Sequence, residues 1–196
     1  MADVTAEPVG WERALLAAEK VKDRLRRATA VLAKAGVPYA VVGGNAVAEW
    51  VARVDEGAVR NTRDVDILIR RADFPAAKVA LEAAGWAYCR VLDVDAFTDG
   101  PDGRVRDAVH LLYAGEKVRS DYLTPAPDVA ESEPAAQFQV VKLDALVQMK
   151  LNSWRLKDRV HLQDMISVGL VDQGWTTRLP PGLAARLQEL LDNPDG

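Results

Sequence analysis

The chain has 196 residues, with 25 Lys and Arg against 29 Asp and Glu, a net charge of −4 and 49% hydrophobic residues. This balance excludes a mainly disordered chain, and a chain of this size buries roughly 70% of its unfolded surface without disulfides or structural metal. No apolar run approaches the roughly 20 residues that cross a bilayer, residues 1–10 carry no basic-then-apolar leader pattern, and Cys89, the single cysteine, has no internal partner, so a reducing cytoplasm and no membrane are expected.

Residues 11–35 place Leu15, Ala18, Val21, Leu25, Ala28 and Leu32 at steps of three and four, with Lys20, Lys22, Arg24 and Arg26 between them. That period predicts a long amphipathic helix. Gly36 stops it, Pro38 cannot continue it, and residues 39–42 read as a short buried strand running into Gly43-Gly44. Asn45 reads as the N-cap of a second helix over 46–54. Residues 63–69 alternate as a strand, with Asp64, Asp66 and Leu68 on one face and Val65, Ile67 and Ile69 on the other. A helix over 73–84 and a strand over 86–92 follow; residues 93–103, rich in Asp, Gly and Pro, read as a loop, and 105–113 with 118–123 as a hairpin. Pro125, Pro127 and Pro134 mark residues 125–136 as a connector between a core over 1–124 and a helical segment over 137–196. In that segment Leu143, Leu146, Val147, Leu151 and Trp154 form one helix face, and Leu183, Leu187, Leu190 and Leu191 another, opened by Pro180-Pro181.

Two motifs carry chemistry. A strand that ends in Gly43-Gly44 and feeds a helix presents bare N–H groups at a positive helix end, which suits a phosphate, although glycine pairs more often mark a plain turn. The segment spells neither a P-loop nor G-x-G-x-x-G. Asp64 and Asp66, two apart on a strand, repel one another and call for a cation, for which Mg²⁺ with its hard oxygen ligands is suited. The same Asp-x-Asp spacing recurs at Asp93 and Asp95, read as a solvated pair in a loop.

The order and spacing of Val41-Val42-Gly43-Gly44-Asn45-Ala46 and Arg60-Asn61-Thr62-Arg63-Asp64-Val65-Asp66-Ile67-Leu68 resemble the nucleotidyltransferase superfamily. The stretch from Met149 to Asp158, with Asp164 following, is similar to the C-terminal helical motif of its AbiEii/AbiGii toxin-like branch. The resemblance implies an α/β (α+β) fold with a small mixed sheet flanked by helices and a C-terminal helical segment. It also implies two Mg²⁺ (or Mn²⁺) ions, with Asp64 and Asp66 as metal ligands, and transfer of a nucleoside monophosphate from an NTP to an acceptor with release of pyrophosphate. Gly43, Gly44 and Asn45 would cradle the triphosphate. The acceptor stays open among a tRNA, a protein hydroxyl and a small molecule, and an antitoxin or other partner protein is a further expectation.

Where the superfamily carries a third carboxylate on a later strand, the matching stretch, 109–115, carries His110. Asp107, offset by three, falls on the opposite strand face. A neutral imidazole can take the proton of an attacking hydroxyl, so His110 is either a general base or the mark of a catalytically impaired protein that binds nucleotide or partner as a regulatory component. On the helix after residue 143, Lys150 falls within the apolar stripe and points inward, so it needs an anion: a core carboxylate or the phosphates. If that helix continues, Lys157, Asp158 and His161 share its side, Lys157 and Asp158 being further phosphate-site candidates, whereas Arg155 points elsewhere. Cys89 reads as a small hydrophobe, and two histidines with one cysteine exclude a structural zinc site. The arginines on the first helix and around residues 60–71 read mainly as a solvated face; the mild acidity argues against tight nucleic-acid binding.

Overall fold

The computed structural model describes residues 10–193, so the leader reading of the first nine residues lies outside it. In chain order the elements are α1 (Gly10–Lys34), β1 (Tyr39–Val42), α2 (Gly43–Ala52), β2 (Val65–Ile69), α3 (Phe74–Ala83), β3 (Ala87–Val91), β4 (Val94–Thr98), β5 (Val109–Tyr113), β6 (Ser132–Pro134), β7 (Gln139–Val141), α4 (Leu143–Ser153), α5 (Leu156–Ser167) and α6 (Pro181–Asp192). The strands form one seven-stranded mixed sheet in the order β3-β4-β5-β2-β1-β7-β6. β1 runs antiparallel to β2, and β2 parallel to β5.

Both faces of the sheet are covered. Val41, Ile67, Ile69, Phe97 and Leu111 pack on Leu25 and Leu32 of α1 and Leu81 of α3. On the other face, Ala40, Val42 and Leu68 meet Val47 of α2, Leu151 of α4 and Leu162 of α5. Double coverage explains why Leu68, placed by alternation on the acidic face, is fully buried: the carboxylates lie at the start of β2 and helices cover its end.

Three sequence expectations are corrected here. Residues 94–98 are a strand, not loop: Leu92 (φ 47) and Asp93 (φ 65) form the two-residue hairpin turn joining β3 to β4. Asp95 is then a buried carboxylate rather than a solvated one, accepting hydrogen bonds from Tyr88 (2.7 Å) and Tyr113 (2.5 Å). The expected hairpin of 105–113 with 118–123 is absent among the described residues, because β5 pairs with β2 and β4 instead. Finally, stretch 125–136 contributes β6, and β7 pairs parallel with β1, so the chain returns to the sheet before its last helices.

Replacing Asp95 by Ala leaves the Tyr88 and Tyr113 hydroxyls without their acceptor on the sheet face away from Asp66. It is expected to lower unfolding stability by about 1–3 kcal/mol in urea titration.

Candidate active site

The sheet end at which β1 finishes and β2 and β5 begin gathers the polar groups. Gly43 sits at φ +70, and a Cβ there would run into Oδ2 of Asp66 and lie 2.9 Å from its Cβ and Cγ. At Gly44 a Cβ would meet Oγ1 of Thr62 at 2.7 Å. A side chain at either glycine would have to displace its neighbour, Asp66 at the first, where the backbone conformation also disfavours it, and Thr62 at the second. The first turn of α2 has no side-chain cap, so its N–H groups stand bare beside the Asp66 carboxylate. Asn45 is not the N-cap; α2 begins two residues earlier, and Asn45 instead donates from Nδ2 to the Asp64 carbonyl (2.7 Å), tying the head of α2 to the approach to β2.

Asp66 pairs in register with His110 across the parallel β2–β5 ladder, so both side chains leave the same face, with His110 Nδ1 3.4 Å from Asp66 Oδ1. Asp64 precedes β2 rather than lying in it. Its Oδ2 is 3.7 Å from Nζ of Lys157, at the start of α5. The Asp66 carboxylate raises His110 above the ordinary imidazole value against the opposing effect of burial, with Asp64 adding to the rise. Asp107 lies in a 3-10 turn before β5, 4.0 Å from Arg106, and is not brought to Asp66.

Behind this edge lies a buried charge cluster. Lys150 is 4% exposed, and its Nζ donates to Oδ1 of Asp158 and to Nδ1 of His161, each at 3.0 Å. Oδ2 of Asp158 accepts from Ser153 Oγ and from Arg155 Nε, each at 2.7 Å. Burial alone would raise the Asp158 carboxyl; Lys150, Arg155 and Ser153 overcome it and hold it at about 2. Burial lowers the Lys150 ammonium, offset in part by Asp158. His161, desolvated and facing the ammonium, is pushed down to about 4.

The helix does not continue through residue 157. Trp154 adopts φ 51 and separates α4 from α5, so the extrapolated helical wheel fails and Arg155 turns toward the cluster it was expected to avoid. Of the phosphate-site candidates, Lys150 and Asp158 are buried against one another, whereas Lys157 keeps a half-exposed ammonium at the acidic edge.

The donor chemistry at that edge, two carboxylates beside a glycine-lined helix end, suits a hard divalent cation such as Mg²⁺ or Mn²⁺ with further oxygen ligands from outside the chain. Asp64 and Asp66 could hold it; an imidazole is a poor replacement for the third carboxylate. Among the described residues no group of three or more His, Cys, Asp or Glu side chains is placed to hold a metal by itself. A cavity of about 500 Å³ between α1, α2 and the segment leading to β2 shares Asn45 and Thr62 with the site but is not lined by Asp64, Asp66 or His110. Cys89 lies half-buried on the edge strand β3. No helix among the described residues is long and apolar enough to cross a membrane.

The chain belongs to the family described as uncharacterised nucleotidyltransferase, whose model matches residues 11–117, more than half of the chain. That span holds Gly43, Gly44, Asp64, Asp66 and His110. The fold is similar to the solution structure of the antibiotic-resistance factor ANT(2'')-Ia, at 14% identity and TM-score 0.55, covering 90% of this chain and 93% of that one. A crystal structure of ANT(2'')-Ia in complex with adenylyl-2''-tobramycin matches at 15% identity and TM-score 0.54, over 87% and 98% of the two chains. An antigenic nucleotidyltransferase-like protein from Paracoccidioides brasiliensis matches at 16% identity and TM-score 0.53, over 88% and 90%. At these identities the likeness is one of fold. No curated protein matches the chain.

The cluster generates a pH prediction. His161 is lowered from 6.5 to about 4 on folding, so between these values the unfolded chain binds the extra proton and stability rises with pH. Acidification through that window is expected to remove roughly 1–2 kcal/mol, discounted for the ring's partial exposure. A second loss follows between 3.8 and about 2 as Asp158 is protonated. Denaturant titrations across pH check this, and His161→Gln is expected to flatten the first window alone.

Proposed function

We propose that this chain is a metal-dependent nucleotidyltransferase that moves a nucleoside monophosphate from an NTP to an acceptor hydroxyl and releases pyrophosphate. The observation that carries this reading is the contact of Gly43 with the Asp66 carboxylate: phosphates received by the bare N–H groups of α2 arrive beside Asp64 and Asp66. Mg²⁺ or Mn²⁺ held there by the two carboxylates would supply neutralisation of phosphate charge. Lys157, on the same edge, adds a cation. The acceptor oxygen forms a bond to the α-phosphorus as the bond from that phosphorus to the bridging oxygen breaks, and pyrophosphate leaves with the electron pair. His110, its Nδ1 turned to Asp66, offers Nε2 to take the hydroxyl proton. Tight positioning and electrostatics contribute most of the acceleration.

The acceptor is a hydroxyl of a tRNA, a protein or a small molecule. The motif from Met149 to Asp158 supports an AbiEii/AbiGii-like placement, with a cognate antitoxin as partner. A second reading, a catalytically impaired member that binds nucleotide or a partner protein, is favoured by one observation: imidazole stands opposite Asp66 where the superfamily pattern has a carboxylate.

Calorimetric titration with each NTP, with and without Mg²⁺, is expected to show binding that needs the metal and is lost in both Asp64→Asn and Asp66→Asn; binding by no NTP contradicts the transferase reading. His110→Asp separates the two readings. If His110 is the base, α-labelled NTP turnover falls by at least about tenfold; if the site is impaired, turnover rises.

A further inference from the structure

We propose that Arg155 holds the pyrophosphate end of the bound triphosphate, its guanidinium fixed for that task by Asp158. The inference rests on the transferase reading above and names the group that completes its phosphate site. Lys150, the inward cation of α4, cannot serve, because its ammonium is enclosed and committed to Asp158 and His161. Arg155 differs in each respect. Its side chain is 47% exposed. Its Nε donates to Asp158 Oδ2 at 2.7 Å, and among the described residues no hydrogen bond engages its two terminal nitrogens, Nη1 and Nη2. A guanidinium anchored at Nε offers those two as a planar fork, the geometry that engages two phosphate oxygens at once.

The backbone sets the direction. The left-handed residue Trp154 ends α4, and Arg155 becomes the residue that caps α5. Two positions later, Lys157 lies 3.7 Å from Asp64, so the start of α5 borders the acidic edge. Burial works against the charge of the guanidinium, Asp158 outweighs that effect, and the Asp66 carboxylate adds a smaller favourable contribution. Asp158 is held in turn by Lys150 and by Ser153, whose hydroxyl accepts from Tyr122 at 2.9 Å. The carboxylate that orients the fork is therefore itself immobilised. Arg155 thus presents its fork at the start of α5, the helix whose Lys157 borders Asp64 at the acidic edge that a triphosphate at Gly43 and Gly44 would reach.

The test is calorimetric titration, in Mg²⁺ buffer, of wild type, Arg155→Gln and Arg155→Lys with an NTP, with inorganic pyrophosphate and with the matching nucleoside monophosphate. Loss of a charged hydrogen-bonding fork is expected to weaken NTP and pyrophosphate about 10- to 100-fold in Arg155→Gln and leave the monophosphate unchanged. Arg155→Lys recovers part of the loss, because an ammonium keeps the charge without the fork. Unchanged pyrophosphate binding in Arg155→Gln, or equal weakening of all three ligands, overturns the proposal. Should Arg155→Gln fail to fold by circular dichroism, Arg155→Lys reads the same comparison, and pyrophosphate affinity equal to wild type overturns it. A wild type that binds pyrophosphate through Arg155 but no NTP keeps the anion site and removes the transferase reading. A wild type that binds neither overturns both.

Discussion

The site depends on one close approach. Gly43, at the end of β1, lies against the carboxylate of Asp66 with no room for a single carbon between them. Antiparallel pairing of β1 with β2 brings Val42 opposite Asp66, and the chain must then turn at once into α2. A side chain at that turn would displace the carboxylate; a longer turn would carry the N–H groups of α2 away from it. The fold therefore delivers a positive helix end and a negative strand end to the same place, each unsatisfied by the other's backbone.

A second constraint lies below. Lys150 and Asp158 form a buried ion pair, costly to desolvate and costly to break. The pair fastens α4 to α5 across the break at Trp154, and that break gives α5 a direction of its own. Asp158 is thus a brace: it anchors Arg155 through Nε, while Lys157, one residue before it, reaches Asp64 at the edge of the sheet. His161 stays neutral for the same reason: a second cation beside the Lys150 ammonium would be unfavourable in a desolvated place.

Local signals in the sequence reached far. The period of three and four over α1, the glycine stop after it and the alternation around Asp66 each express a local rule, whereas the idea that Gly43 and Asp66 share one site came from the family resemblance and not from those rules. What local rules missed depends on distant partners. β4 looked like loop because residues 93–103 are rich in Asp, Gly and Pro, and its Asp95 is accommodated by hydroxyls that Tyr88 and Tyr113 supply from β3 and β5. The turn before β4 uses Leu92 and Asp93 in place of the usual Asn-Gly. β6 and β7 span three residues each, too short to show alternation. The break at Trp154 has neither glycine nor proline to announce it, so Arg155 was assigned to the wrong side, and Asn45 was taken for a cap because the positive φ of Gly43 lets the helix start earlier.

The most direct test of the central claim is to place one methyl group in the closed gap, as Gly43→Ala, and to measure binding of Mg²⁺-NTP by calorimetry alongside the circular dichroism spectrum. The left-handed position costs an alanine about 1 kcal/mol and the methyl must push the Asp66 side chain aside, a local shift that the fold is expected to survive. Loss of NTP binding with the spectrum unchanged is the predicted result. Undiminished binding in the folded variant would contradict the account, because the phosphates would then lie somewhere other than between Gly43 and Asp66.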